Sequence, residues 1–225
     1  MTETLKLVGK TKDEIAKAYI SQPWWYDFRG FFILTFAYNS TLNAQINFFS
    51  RNYGANHLEV ACGTGTLLQY ILWWRNFKKM PDSNITGIDY AESMLAGAVR
   101  RFKNKPKMNF IHADAAQLPF PNASFDTINI ANSIHCLPDI NGALKDIHRV
   151  LKPGGTFAAN VLLYPSGNGV LDNIANKINV WGIKKGILVT PYHKKDIRTL
   201  YQNAGFKVIE ESQKGNCYDV LLSKE

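Results

Sequence analysis

The apolar positions of this chain change period along its length. From Phe28 to Phe49 they recur at i, i+3, i+4 and i+8, the spacing of a helical stripe. The stretch is unusually aromatic, opening on Trp24, Trp25 and Tyr26. Gly54-Ala55-Asn56 breaks the pattern, and short apolar runs then alternate with helical ones. Strands are predicted over 57–61, 85–89, 108–113, 125–131 and 156–163. Helices are predicted up to about 76, over 91–102, and from an Asp139 cap to 151. Lys152-Pro153-Gly154-Gly155 is expected to end the last of these. Residues 165–191 form an excursion with a helix around 170–181. A helix over 194–204 closes on Gly205, and strands over 206–211 and 217–223 follow, joined by Gln213-Lys214-Gly215-Asn216.

Strand alternating with helix predicts an α/β fold, a parallel sheet with helices on both faces. The short final turn makes the last two strands an antiparallel hairpin at one edge. Ligands of such sheets bind beyond the carboxyl ends of the strands, near the switch point, so chemistry is expected just after the first four or five strands.

The chain has 225 residues, enough for one large α/β domain or two small ones. With 46% hydrophobic residues it can form a core, which excludes general disorder. Met1-Thr2-Glu3-Thr4 opens no basic-then-apolar leader, and no apolar run nears the roughly 18 residues of a membrane span. Cys62, Cys136 and Cys217 give neither a disulfide framework nor a paired metal signature, so a cytoplasmic protein without a metal site is expected. Lys and Arg number 26 against 18 Asp and Glu, a net charge of +8. That surplus admits nucleic acid, an anionic membrane, an acidic substrate or plain solubility.

Three loops carry candidate chemistry. Leu58-Glu59-Val60-Ala61-Cys62-Gly63-Thr64-Gly65 places small residues between a strand and a helix, where backbone can approach a ligand. As a dinucleotide fingerprint it lacks the third glycine, since Leu68 stands there, and a lone G-x-G is also a plain tight turn. Asp89 ends the second strand, where a carboxylate accepts from ribose hydroxyls or caps the next helix. Asp114-Ala115 follows the third strand, where a carboxylate and the next N–H could read an adenine edge. Each alone has a plain structural explanation; the conjunction points to a nucleoside ligand.

Read together, these segments resemble the class I S-adenosylmethionine-dependent methyltransferases, in the group of the ubiquinone/menaquinone-biosynthesis enzymes. Leu58–Gly65 matches the first motif, with Ala61 where many members have glycine. Gly87-Ile88-Asp89-Tyr90-Ala91-Glu92-Ser93-Met94-Leu95 matches the ribose-binding motif, and Ala113–Phe120 the adenine-binding one. Ser133–Asp139 resembles the segment after strand four, with Cys136 replacing a histidine, and Arg149–Gly155 the segment before strand five. The resemblance is close over 57–157 and loose beyond. It implies a Rossmann-like doubly wound sheet of seven strands, order 3-2-1-4-5-7-6 with the last strand antiparallel. It also implies an N-terminal helical cap or lid over 1–55, a cofactor domain over 56–225 and a substrate-side insertion at about 165–191. By position, Glu59 and the Ala61, Cys62, Gly63 and Gly65 backbone would hold the methionine end. Asp89 would take the ribose, Tyr90 and Met94 flank the adenine, and Asp114 and Ala115 read its edge. Asn132 would sit near the sulfonium, and Tyr26 resembles a tyrosine that closes over the cofactor.

Methyl transfer needs alignment and exclusion of water, and a base only where the nucleophile must lose a proton. His135 and His193 are the candidate bases; each could equally be packed under its loop. The aromatic N-terminal segment and the 165–191 excursion are expected to build the acceptor pocket, which suits an aromatic, quinone-like or lipid-like small molecule. Asn129-Ile130-Ala131-Asn132 replaces the motif of amino-methylating nucleic-acid enzymes, so no nucleic-acid partner is expected. An NAD(P)-dependent oxidoreductase and a non-catalytic S-adenosylmethionine-binding module are the alternatives. The cations Arg75, Lys78, Lys79, Arg100, Arg101, Lys103, Lys105 and Lys107 are expected on a solvated back face. Lys184, Lys185, Lys194, Lys195 and Arg198 lie on the acceptor side and admit a peripheral contact with an anionic membrane.

Overall fold

Leu58 and Val60 give one face of β1 (Asn56–Val60) an apolar surface, and His57 and Glu59 give the other a polar one. A strand buried on both sides must satisfy both sets. The computed structural model describes residues 41–165, 167, 169–185 and 191–225. In it β1 pairs in parallel with β2 (Asn84–Asp89) on one side and β4 (Phe125–Ile130) on the other. β3 (Met108–His112) extends the sheet beyond β2, and β5 (Leu151–Leu162) beyond β4, again in parallel. β6 (Phe206–Lys214) and β7 (Cys217–Lys224) form the expected hairpin, and β7 lies antiparallel between β5 and β6. The order is β3-β2-β1-β4-β5-β7-β6, as the resemblance implied.

α1 (Leu42–Phe49), α2 (Thr66–Phe77) and α3 (Glu92–Phe102) cover the polar face of β1. Phe49 of α1 and Ile71 of α2 meet Ala158 of β5, while Leu68 and Phe102 enclose Ile85. α4 (Ile140–Val150) covers the other face. Its buried Ile140, Ala143, Leu144, Ile147 and Val150 follow the helical period, and each large aliphatic side chain so buried contributes about 1.5–3 kcal/mol. Asp139 caps α4 as expected, accepting from the Gly142 N–H at 2.9 Å. On the same face Ile197 and Tyr201 of α6 (Lys194–Asn203) join Leu58, Val60, Ile128 and Phe157 in the main core. Helices therefore change sides between β1 and β4, which makes that boundary the switch point.

Two boundaries differ from the sequence reading. β5 begins at Leu151, not at 156: Leu151 pairs with Phe125 and Thr156 with Thr127, so Lys152–Gly155 bulges within the strand. The helix of the excursion, α5 (Val170–Lys185), runs beyond 181. Trp24, Trp25 and Tyr26 lie outside the described residues, and α1 is the described part of the predicted N-terminal helical stretch.

Candidate functional site

The backbone is most unusual at the switch point. After β1, Ala61, Gly63 and Gly65 have φ of +53°, +57° and +74°; after β4, Asn132 has +56°. A left-handed conformation costs an ordinary L-residue about 1–2 kcal/mol, so Ala61 holds it because its surroundings impose it. Gly65 is required by packing: a Cβ there would lie 2.6 Å from the Phe102 ring. Gly63 has the opposite environment, with nothing within 4 Å of a Cβ, so the loop opens there.

Asp89 ties this loop to the next helix. Its Oδ2 accepts from the Gly63 N–H at 2.7 Å and its Oδ1 from the Ala91 N–H at 2.8 Å. Each oxygen keeps a further lone pair for a ligand hydroxyl. Burial pushes the Asp89 carboxyl up, against the pull of the two backbone bonds. Burial and then the nearby Asp89 and Glu59 carboxylates push the Cys62 thiol well up, keeping it neutral. The two carboxylates that bracket Cys62 make this loop a place for a cation.

The loop after β3 is held from below. Asp114 Oδ1 accepts from the Ala116 N–H at 3.0 Å. Arg149 donates to the Leu118 and Phe120 carbonyls at 2.9 and 2.7 Å and pairs with Asp146, which in turn accepts from the Leu118 N–H. The arginine of the segment before β5 thus fixes the segment after β3. Ala115 is buried, and Tyr90 is half-buried against His112 with ring centroids 5.5 Å apart. Met94 is 1% exposed: it is core, with almost no surface for an adenine, which corrects its expected flanking place.

Glu59 lies at the centre of a buried polar network. Its Oε1 accepts from the Tyr53 hydroxyl, from His57 Nε2 at 3.0 Å and from Asn129 Nδ2 at 3.1 Å. His57 Nδ1 meets Thr127 Oγ1 at 2.7 Å, and Tyr53 stacks on the His57 ring at 3.8 Å. Burial lowers His57, so it is neutral near pH 7; its partners assign the proton to Nε2. The Arg75 guanidinium lies 4.4 Å from the centre of the Tyr53 ring and donates to the Ser50 carbonyl at 2.6 Å. Arg75 is buried, and Arg101 donates to Thr64 O and Thr66 Oγ1 at 3.0 and 2.8 Å, bracing the start of α2. Arg75 is thus a buried structural cation, which corrects its placement on a solvated back face, whereas Arg101 stays exposed.

After β4, the Asn132 amide exchanges two hydrogen bonds with Gln45 of α1 and is held by Asn160 of β5. Sequence reasoning missed Gln45, Tyr53, His57 and Asn160. For His57 the signal is polar residues at alternate positions of buried strands, as in His57/Glu59 and Thr127/Asn129.

The two candidate bases have opposite environments. His135 lies in the 3-10 turn Ile134–Cys136, is 5% exposed, and is lowered by burial to about 3. It is neutral near pH 7 and a weak proton acceptor, which argues against a base there. His193 is exposed at the start of α6 and stacks on Tyr164 at 4.8 Å. The neighbouring Tyr192 donates its N–H to the Leu162 carbonyl at 3.0 Å, so the chain returns from the excursion to the end of β5. Burial and nearby Cys136 push the Tyr192 hydroxyl up to about 12. The ends of β4 and β5 and the excursion's return thus meet on one side. Among the described residues no group of three or more His, Cys, Asp or Glu could hold a metal, and no helix is long and apolar enough to cross a membrane.

Comparison with known proteins agrees with this geometry. The family described as methyltransferase domain matches residues 58–159. The demethylmenaquinone methyltransferase of Staphylococcus aureus is 38% identical over 104 residues, which is 45% of this chain and 41% of that protein. The chain thus spans about two fifths of the length of the curated relatives it matches. A Haloferax volcanii putative methyltransferase structure, in complex with the Trm112 methyltransferase activator, superposes with a TM-score of 0.67. The two are 18% identical, over 96% of this chain and 99% of that one. A Thermotoga maritima S-adenosylmethionine-dependent methyltransferase, described as a possible histamine N-methyltransferase, superposes with a TM-score of 0.66. It is 19% identical, over 96% of this chain and all of that one, at 100%. Residues 58–159 of this chain thus match a methyltransferase domain, and the sheet order and loop geometry agree with the class I S-adenosylmethionine-dependent methyltransferase fold.

Proposed function

We propose that the chain transfers a methyl group from S-adenosylmethionine to a small-molecule acceptor of aromatic, quinone-like or lipid-like character. The observation that carries the reading is the strained glycine loop at the switch point, bracketed by the Glu59 and Asp89 carboxylates. A cationic nucleoside fits such a loop, and the cofactor, when bound, supplies an electrophilic methyl on a sulfonium. The Ala61, Cys62, Gly63 and Gly65 backbone, with Glu59, receives the methionine end. Asp89 takes the ribose hydroxyls on the lone pairs that Gly63 and Ala91 leave. Asp114 and the Ala115 N–H read the adenine edge, with Tyr90 over one face. Asn132, its side chain engaged with Gln45 and Asn160, shapes the wall after β4. Tyr26, as a closing residue, belongs to the same reading. Transfer then depends on alignment and on exclusion of water. A proton released by the acceptor passes to His193 or to solvent, because burial leaves His135 too weak a proton acceptor.

The quinone-like acceptor is supported by the partial similarity to a demethylmenaquinone methyltransferase. It is also supported by the apolar residues that α5 exposes, Val180, Trp181 and Ile183, next to Lys177 and Lys184. Such a face suits peripheral contact with an anionic membrane, read as sedimentation with liposomes that rises with anionic lipid.

The reading is tested by calorimetry and turnover. S-adenosylhomocysteine is expected to bind and NAD not to, and a labelled methyl group should move to a quinol in a panel of quinols, phenols, amines and lipid extracts. Tight NAD binding without S-adenosylhomocysteine binding would sink it in favour of an oxidoreductase. Cofactor binding without transfer to any panel member would favour a binding module.

A further inference from the structure

Gln45 is the only polar side chain that α1 buries, at 1% exposure, and it faces the segment after β4. Its Nε2 donates to Asn132 Oδ1 at 2.8 Å and its Oε1 accepts from Asn132 Nδ2 at 3.0 Å. Asn132 Oδ1 also accepts from Asn160 Nδ2 at 2.9 Å, and Asn160 Oδ1 accepts from the Asn132 N–H at 2.6 Å. The orientation of all three amides is therefore fixed from the main chain outward. The Asn132 N–H dictates which way Asn160 faces, Asn160 dictates Asn132, and Asn132 dictates Gln45. The chain so clamped is the one at φ +56°, next to the glycine loop across the switch point.

We propose that Gln45 is a positioning residue for the cofactor site: a latch through which α1 holds the segment after β4 in its left-handed shape. This rests on the methyltransferase reading above. Gln45 is not expected to touch the reacting atoms. It acts through Asn132, so the segment before β1 contributes to cofactor affinity through one buried amide pair. A fully satisfied buried network specifies one geometry, whereas a half-satisfied one is worse than none.

Gln45→Glu tests this directly. A protonated Glu side chain reproduces both bonds, its O–H donating to Asn132 Oδ1 and its carbonyl accepting from Nδ2. An ionised one sets a carboxylate oxygen against Asn132 Oδ1, and Asn160 prevents Asn132 from turning over to relieve it. A buried carboxyl titrates well above its ordinary value. S-adenosylhomocysteine affinity of the variant should be about tenfold weaker at pH ~8.5 and recover towards native by pH ~6, while the native chain stays flat. α1 itself carries no titratable group. The titratable and charged neighbours are Cys217 and Asp219, reached through Asn160; Glu59, Cys62 and Asp89 around the glycine loop; Tyr53 and His57 on Glu59; His112 beside Asp89; and Arg75 of α2, which donates to the Ser50 carbonyl at the end of α1. All of these are common to both proteins. Gln45→Met, which removes both bonds without adding a charge, should weaken binding about tenfold at every pH, and it decides the matter if Gln45→Glu does not fold. Native-like, pH-independent affinity in the folded variants overturns the latch alone. No binding of S-adenosylhomocysteine by the native chain overturns the latch together with the methyltransferase reading.

Discussion

Acid should destabilise this protein through His135, and the size of the effect follows from its burial. Burial lowers His135 from about 6.5 to about 3. The folded value lies below the unfolded one, so the unfolded chain takes up the proton first. Stability is complete above the unfolded value and is lost as pH falls through the window between 6.5 and about 3. Between pH 7 and pH 5 the loss from this one imidazole works out at about 2 kcal/mol, or roughly 4–8 °C in Tm for a domain of this size. His57 is also lowered by burial and acts in the same direction. The contribution of His135 is therefore isolated by comparing the native chain with His135→Gln, in urea titrations at both pH values. The variant should lose about 2 kcal/mol less than the native protein over that interval. Equal losses in the two proteins would mean that His135 is not buried neutral, and would return it to consideration as a base.

Three further outcomes follow from the same geometry. Asp89→Asn should weaken S-adenosylhomocysteine binding at least tenfold by calorimetry, because both Asp89 oxygens accept from backbone N–H groups and an amide must present its NH2 to one of them. Tyr53→Phe keeps the ring on His57 and beneath Arg75 but removes the bond to Glu59, so urea unfolding should show a loss of about 1.5–3 kcal/mol; a loss below about 0.5 kcal/mol would remove that bond from the network. Asn179 of α5 is 4% exposed and neither atom of its amide has a hydrogen-bond partner among the described residues, so Asn179→Leu should raise stability by about 1–3 kcal/mol and Tm by a few degrees, and a lower Tm would contradict it.

Much of the fold was legible because local spacing carries it. The alternation of short apolar runs with helical ones placed the strands and helices within a few residues. Asp139 was readable as a cap, since a carboxylate before a helical stripe has one obvious use. Boundaries failed where pairing overrides local chemistry. Lys152–Gly155 reads as a turn, yet Leu151 already pairs with Phe125 across it. The glycine loop, Asp89 and Asp114 were legible as a candidate site because each lies at or just beyond the end of a strand, where parallel sheets bind ligands.

What the sequence by itself determined was the order of elements and the loops that carry the candidate chemistry. All of these are encoded in neighbouring residues. What only the tertiary structure decided was which polar groups meet. Gln45 and Asn132 are 87 residues apart, and Tyr53, His57 and Asn129 converge on one Glu59 oxygen from two strands and the segment before them. A histidine after β4 reads the same in sequence whether solvated or sealed; packing made His135 a neutral buried group. Arg75 reads as a surface charge until the packing of α2 buries it against Tyr53 and the Ser50 carbonyl. Periodicity reports burial, but the partner that makes a buried polar group tolerable is chosen by register and layer packing, which join distant parts of the chain.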